Sequence, residues 1–410
     1  GFTLFSMFFG AGNLIFPPHL GAQAGSHLWA AFAGLAVSAI GLPIAGVVAV
    51  ARAGGLEPLA RRVHPAFAFV FTILVYLSIG PCLAIPRTAS TSFAMLAPLV
   101  GSSPRLQLGY SFLFFTAAFL VALHPEKLTD RLGRILCPCL ILLICILFAG
   151  CLLHPPAAHY GAPSDLYASL PAVQGILYGY QTMDTLASLN FGAVIALNIR
   201  ARGIAQESAV EQGAVRAGFL AGALLLAVYA MLGHAGALTG AAVPSLSTGA
   251  DVLTALAGNL FGQAGLVLIA AIFVIACFNT CVGLIACVGQ YFHSLLPRIP
   301  YPVLAAFFAG VSMLVSNLGL AAIIGLSTPV LNALYPIAIV LILLSYLPGL
   351  ENRPRIYPLC IFLTALQSIA AALPLGPLSV LANALPFAEV GFGWVLPAAA
   401  GLLLGFLIDR

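Results

Sequence analysis

Charge is scarce in this sequence. Asp, Glu, Lys and Arg make up 6% of 410 residues, and 62% are hydrophobic. Soluble domains carry roughly 25% charged residues, so a soluble globular chain is excluded. The ten-residue segments of alternating hydrophobicity that mark a membrane barrel are also lacking. Nine cysteines are present, all in or beside apolar runs. That is the usage of small buried hydrophobes, not a disulfide framework. Cys137 and Cys139 flank Pro138, but thiols at i and i+2 face opposite ways on a helix. None of the eight histidines pairs with another at i, i+4, so no metal site of protein side chains is read. Asp184 and Glu389 are the only acids in or near apolar runs. Without apposed carboxylates, a Ser/Lys or Ser/His pair or a metal triad, an intramembrane enzyme lacks its residues. A passive channel lacks its ring of repeated filter residues.

What the chain has in quantity is apolar helix. A membrane crossing takes about 20 apolar residues. The stretches 1–24, 27–51, 66–97, 107–124, 135–153, 168–198, 217–238, 264–293, 301–317, 327–347, 356–374 and 391–408 read as twelve spans of one helical bundle. Basic residues test the count. With the N-terminus inside, the inner loops hold Arg52, Arg61, Arg62, Lys127, Arg131, Arg134, Arg200, Arg202, Arg216, Arg298, Arg353, Arg355 and Arg410, thirteen of the fifteen Lys and Arg. Only Arg105 falls outside, and Arg87 lies within a span. The positive-inside rule then places both termini in the cytoplasm. The chain begins at Gly1 within a helical stretch, so an initiator Met and a short tail are expected ahead of it. No cleavable signal peptide is read.

Two of the twelve spans are damaged. The first contains Phe8, Phe9, Gly10, Ala11, Gly12 and Asn13, then Pro17 and Pro18; the sixth contains Gly179, Tyr180, Gln181, Thr182, Met183 and Asp184. Lipid cannot satisfy loose backbone groups, so broken helix is tolerated only where protein or a cavity supplies partners. Matching breaks in two halves point to a transport site near the midplane. The third and eighth spans are both overlong, as tilted helices are. The pattern reads as a five-plus-five inverted repeat, 1–153 and 168–347, with two accessory helices at 356–408. The stretch 245–262 reads as an outer amphipathic hairpin able to cover the site.

Each break offers chemistry. Gly10 and Gly12 permit unusual backbone. Unwinding there exposes the amides of Ala11 and Gly12 at a positive helix end, which attracts a carboxylate. It also frees the carbonyls of Phe8, Phe9 and Gly10 for Na⁺, with Asn13 adding an oxygen ligand. The bland alternative is close glycine packing. Asp184 at a helix centre costs ~2.5–3.5 kcal/mol on insertion scales, so it is expected to face a cavity, a cation or a partner. Its alternative is a structural acid on its own helix dipole, with Thr182 capping the same half-helix. Arg87 either pairs with Asp184, gates the outer vestibule, or snorkels to the headgroups. Asn279 and Thr280 on the eighth span suit Na⁺ by their oxygens, or else form ordinary interhelical hydrogen bonds.

The string Ser6-Met7-Phe8-Phe9-Gly10-Ala11-Gly12-Asn13-Leu14-Ile15-Phe16-Pro17-Pro18 resembles the bacterial branched-chain amino acid:cation symporter family. So do Ile85-Pro86-Arg87-Thr88, Gly179 to Asp184, and Asn317 through Pro329 to Tyr335-Pro336. The resemblance implies an all-α membrane protein of the LeuT type, with about 12 transmembrane helices and helices 1 and 6 discontinuous. It also implies Na⁺-coupled import of Leu, Ile and Val across the bacterial cytoplasmic (inner) membrane by alternating access. No organic cofactor, nucleic acid or obligate protein partner is implied; the partners are the amino acid and the lipid bilayer. By analogy with that fold, the Ala11 and Gly12 amides hold the substrate carboxylate. Phe8, Phe9, Gly10, Asn13, Asn279 and Thr280 form the sodium site, and Gly179, Tyr180, Gln181 and Thr182 hold the ammonium group and part of the side-chain pocket. An acid a few positions after Arg87-Thr88 is expected in the family, but Ser92-Phe93-Ala94 stands here. A proton-coupled carrier of the same fold, using Asp184, is the alternative.

Overall fold

Glycine and proline set where the helices stop. The computed structural model describes residues 2–123, 125–200, 206–243, 245–350, 353–374 and 376–409. Arg202 and Arg410 of the inner-loop reading lie outside these residues, as do the side chains of Ala11, Lys127, Arg131, Arg134 and Cys137. Helix α1 (Phe2–Phe8) ends before Gly10, which is extended at φ −110° and ψ −171°, and α2 (Ala11–Ala24) starts after it. Pro17 and Pro18 stand inside α2. Each lacks the N–H that would reach four residues back, so the carbonyls of Asn13 and Leu14 lose their intrahelical donors. A short 3₁₀ turn leads into α3 (Leu28–Ala36), and a π-helical turn over Val37–Gly41 joins α3 to α4 (Leu42–Ala53). α5 (Leu56–Arg61) and α6 (Pro65–Leu77) follow. A second π-helical turn, Ser78–Cys82, carries Gly80 and Pro81 and kinks the chain into α7 (Ala84–Val100).

The order continues through α8 (Pro104–Ala122), α9 (Pro125–Leu153), α10 (Asp165–Ala168) and α11 (Pro171–Gly179). A 3₁₀ turn over Tyr180–Thr182 and left-handed Met183, φ 62°, separate α11 from α12 (Asp184–Arg200). Beyond it lie α13 (Glu207–Ala242), α14 (Gly249–Leu295), α15 (Tyr301–Ser316), α16 (Leu320–Leu344), α17 (Ile356–Ala372), α18 (Pro377–Asn383) and α19 (Val395–Ile408). The fold is all-helical, with no strand among the described residues.

Large apolar side chains such as Phe112, Leu113, Phe219 and Leu403 are left exposed, as a lipid-facing surface requires. Among the described residues six stretches qualify by length and apolarity to cross a membrane, or seven if α17 and α18, bent by 109°, count as one. One of the six, Gly12–Ala53, has 42 residues. At 1.5 Å per residue that is ~63 Å, about two hydrocarbon thicknesses. Continuity, not absence of apolar chain, therefore lowers that number. α15 and α19, at 16 and 14 residues, fall just short in length.

Lipid gives helices no hydrophobic reason to associate, so close backbone approach has to do it. Glycines supply that approach between α2 and α13: a Cβ on Gly21 would stand 2.0 Å from the Gly233 carbonyl, and one on Gly236 2.1 Å from that of Pro18. The same device joins α3 to α11, where a Cβ on Gly34 would meet the Ala172 carbonyl at 1.8 Å and one on Gly175 that of Ala31 at 1.9 Å. The first broken element thus packs on α13, and the second broken element on α3 and α4. α7 lies along α14.

The expected hairpin at 245–262 is corrected. A capping box of Thr248 and Asp251 starts α14. Its first arm folds back at Gly262, φ 57°, so that Gly265 packs against Ala257. The second arm is the long helix itself, because Gly262 is where positive φ lets the chain turn. A Cβ on Gly249, where the arm begins, would lie 1.7 Å from the Ile15 carbonyl, so the arm rests on α2.

Candidate functional site

The two breaks meet through three buried side chains. Asn13 donates from Nδ2 to Asp184 Oδ2 and to the Tyr229 hydroxyl. The Tyr229 hydroxyl donates to Asp184 Oδ2 at 3.5 Å. Asn13 and Asp184 each open a half-helix, and α13 brings Tyr229 beside them. The Thr182 hydroxyl accepts from the Asp184 amide at 3.3 Å and donates to the Gly179 carbonyl at 2.9 Å. Thr182 therefore caps α12, and Asp184 also sits in the first turn, where the helix dipole favours an acid. Met183 holds a left-handed conformation that costs a non-glycine residue energy and clusters at functional sites.

Arg87 enters from α7. It is 5% exposed, so it does not snorkel to the headgroups. Its Nη1 donates to the Gln181 carbonyl at 2.6 Å and its Nη2 reaches the Thr182 carbonyl at 3.5 Å. The guanidinium lies over the Phe16 ring at 5.1 Å. A Cβ on Gly12 would stand 2.7 Å from Nη2, so glycine is what lets the cation approach the start of α2. Pairing with Asp184, one of the three readings of Arg87, is not what forms: among the described residues no salt bridge joins them. The guanidinium is taken up by the carbonyls freed at the second break. Such charge-assisted bonds are about twice as strong as neutral ones.

A cavity of about 60 Å³ lies between the breaks and is lined by Phe8, Gly10, Gly12, Asn13, Arg87, Thr182, Asp184 and Thr280 among others. At ~30 Å³ per water it takes an ion or one or two waters, and no amino acid. Thr280 reaches Gly10: a Cβ there would be 3.4 Å from both Thr280 Oγ1 and Cγ2. Gly10 in the first break thus meets a hydroxyl from α14. Asn13 Oδ1 lies on the same side, 3.9 Å from that Cβ position.

Other expected residues lie elsewhere. Phe9 stacks on Phe5, with ring centroids 4.8 Å apart, and does not line the cavity. Asn279 does not line it either, though its buried Oδ1 has no hydrogen-bond partner among the described residues. Gly179 is a packing glycine: a Cβ on it would meet Ser38 Oγ at 2.0 Å. Tyr180 stacks on Tyr335 with centroids 4.3 Å apart, and Gln181 Nε2 donates to Thr328 Oγ1 at 2.9 Å. Both side chains point to α16, away from the small cavity, so only the backbone of this turn faces Arg87. Sequence reasoning missed Tyr229, Met183 and Phe16. A tyrosine in an otherwise apolar run, Val228-Tyr229-Ala230, was the available signal for the first.

This architecture is that of a multi-pass helical membrane protein. The fold is similar to Mhp1, a nucleobase-cation-symport-1 family transporter solved closed with bromovinylhydantoin. The TM-score is 0.64 at 13% identity, covering 98% of this chain and 90% of that one. The sequence settles the family. All of residues 1–410 match the family described as branched-chain amino acid transport protein. The chain is 39% identical over 421 residues to the branched-chain amino acid permease BraB of Bacillus subtilis, covering 100% of this chain and 94% of the relative. It is 40% identical over 422 residues to the branched-chain amino acid transport system 2 carrier protein of Pseudomonas aeruginosa, covering 100% and 95%. The protein belongs to the branched-chain amino acid transport family. It is a multi-pass membrane transporter and not an enzyme.

Proposed function

We propose that this protein imports leucine, isoleucine and valine with Na⁺ across the cytoplasmic membrane by alternating access. The chain crosses twelve times as two inverted five-helix repeats, 1–153 and 168–347, plus two helices at 356–408, with both termini inside. The substrate carboxylate lies at the Ala11 and Gly12 amides beside Arg87, and its ammonium group at the carbonyls of the Gly179–Thr182 turn. Na⁺ takes the carbonyls of Phe8, Phe9 and Gly10 with Asn13, Thr280 and Asn279. The observation that carries the reading is the approach of the Thr280 hydroxyl to Gly10 beside the Asn13 side-chain oxygen, neutral oxygen donors on the Gly10 wall of the small cavity. The first and sixth spans, with the second and seventh, rock against the third, fourth, eighth and ninth. Leucine uptake into proteoliposomes under a Na⁺ gradient tests it, and Thr280→Ala and Asn13→Ala should raise the Na⁺ half-saturation. Uptake that persists at full rate without Na⁺ removes the sodium reading.

One observation favours proton coupling as the second reading. Asp184 is 4% exposed and, among the described residues, its carboxylate accepts hydrogen bonds from the neutral groups Asn13 and Tyr229, so a proton could travel on it. Uptake driven by a pH gradient alone, and lost in Asp184→Asn, selects this version.

A further inference from the structure

A second cavity lies on the other side of the Tyr180–Thr182 turn. It holds about 390 Å³, inside the ~300–1,000 Å³ range of small-molecule sites. Its walls come from α11, α16, α17 and the chain between Asn383 and Trp394, and α1, α2 and α7 contribute nothing to it. It is therefore separate from the small cavity beside Arg87. Leu166 and Asn383, at its rim, are exposed. The Asn383–Trp394 segment roofs it tightly, since a Cβ on Gly391, φ 77°, would meet Leu177 at 2.7 Å.

Two independent observations distinguish this cavity from a packing gap. Gln181 is 6% exposed, and its Oε1 has no hydrogen-bond partner among the described residues; Trp394 Nε1, from the roof, and the Tyr180 hydroxyl share that condition. Buried polar groups are nearly always paired, and all three belong to residues that line this cavity. Second, Asn332 stands 12 residues into α16, ~18 Å from its start at 1.5 Å per residue. Its side chain is exposed and lines this cavity. An amide at that depth is tolerated where it meets something polar.

Among the described residues no Asp, Glu, Lys, Arg or His lines the cavity. A free amino acid would place two charges there without a counter-charge, and buried charge without a partner is strongly unfavourable. Leu177, Ile324 and Ala371 supply apolar wall. We propose that this cavity is a second binding site, specific for an uncharged amphipathic molecule with at least one hydrogen-bond donor and one acceptor. The Gln181 side chain faces this site while the Gln181 carbonyl takes the Arg87 bond on the opposite side. An occupant therefore stiffens the turn and slows transport without competing for substrate.

The chain has two tryptophans, Trp29 and Trp394, and Trp29 is half exposed on α3 at 52%. Trp29→Phe leaves Trp394 as the sole reporter, inside the cavity wall. The probe is N-acetyl-L-leucine methylamide, titrated into the full chain in nanodiscs while Trp394 emission is followed. The expected result is a saturable change that saturating leucine does not displace. Ala371→Phe, which fills the cavity, and Asn332→Leu each weaken it at least tenfold. In proteoliposomes the probe lowers the maximal leucine uptake rate and leaves KM unchanged, and Ala371→Phe removes that inhibition. Displacement by leucine, purely competitive inhibition, or undiminished binding in both variants overturns the proposal. So does an equal Trp394 response to free leucine, which would make the site zwitterion-binding, and so does the lack of any saturable response. The emission readout does not depend on transport, so it stands or fails apart from the sodium reading.

Discussion

Arg87→Lys keeps a positive charge in place and removes the planar fork, which makes it the most informative single substitution. The guanidinium contributes one good charge-assisted hydrogen bond, at 2.6 Å to the Gln181 carbonyl, and a second contact to Thr182 at 3.5 Å. The longer one is too long to count as a full bond. A hydrogen bond to a charged group is worth ~1.5–3 kcal/mol. The stacking on Phe16 at 5.1 Å adds ~0.5–2 kcal/mol when desolvated. Lysine keeps part of the first and little of the second, because an ammonium has neither plane nor fork. The expected loss is ~1–3 kcal/mol, or roughly 5- to 150-fold in leucine uptake efficiency at a tenfold change per ~1.4 kcal/mol. Arg87→Gln should lose more, since two buried carbonyls then lack a cation. The assay is initial-rate uptake into proteoliposomes, with size-exclusion profile and thermal midpoint as checks on folding. A Phe16→Leu cycle isolates the stacking, with a coupling of ~0.5–2 kcal/mol expected between the two positions. A folded Arg87→Gln protein that transports within threefold of the parent would falsify the role given to this side chain, and additivity in the cycle would remove the stacking.

Gly179→Ala should destabilise the protein by ~1–3 kcal/mol through overpacking, because its Cβ would lie 2.0 Å from Ser38 Oγ; Ser38→Gly in the same chain should recover most of the thermal midpoint, and no recovery means the clash is elsewhere. Tyr229→Phe should cost ~0.6–1.7 kcal/mol, the scale of interhelical hydrogen bonds in membranes, measured by denaturant titration in detergent; an unchanged midpoint would show that the hydroxyl bonded to Asn13 contributes nothing. Gly249→Val should push the first arm of α14 off the Ile15 carbonyl, which a Cβ would approach to 1.7 Å, and so speed labelling of a cysteine placed at Ser247; unchanged labelling would show that the arm does not rest on α2.

The breaks were legible because they violate a strong rule. Glycine pairs, two prolines and an acid in apolar helix have few structural reasons to exist, and Gly10, Asn13 and Asp184 do line one cavity. Side-chain direction was not legible. Tyr180 and Gln181 sit in the right turn but point to α16, because a 3₁₀ turn followed by left-handed Met183 sends successive side chains to different sides. Arg87 had three readings because pairing, gating and snorkelling depend on rotamer and on neighbours from other helices. The arm of α14 was misread because the sequence marks where a chain can turn, at Gly262, but not which partner each side of the turn takes. Tyr229 was missed for the reason that hydroxyls bonded across helices usually are: one polar atom barely alters the hydropathy of a span.

The size of the small cavity constrains the transport cycle on the proposed reading. At about 60 Å³ it cannot contain a leucine, so in this arrangement the ion side of the first break is formed while the substrate side is closed. Arg87 is what closes it, lying where a Cβ on Gly12 would touch its Nη2 and bound to the carbonyls of Gln181 and Thr182. A substrate carboxylate arriving at the Gly12 amide is a stronger partner for a guanidinium than a neutral carbonyl. It would draw Arg87 off the turn and hand the freed carbonyls to the ammonium group. Substrate binding would then exchange one set of bonds for another rather than add to them, and only the difference would be available to drive closure. The exchange requires both ends of the amino acid at once. Leucinamide and 4-methylpentanoate, each lacking one charge, should therefore bind far more weakly than half of leucine's binding free energy would give, and calorimetry of the three ligands decides it: additive halves would show that Arg87 stays on the turn throughout.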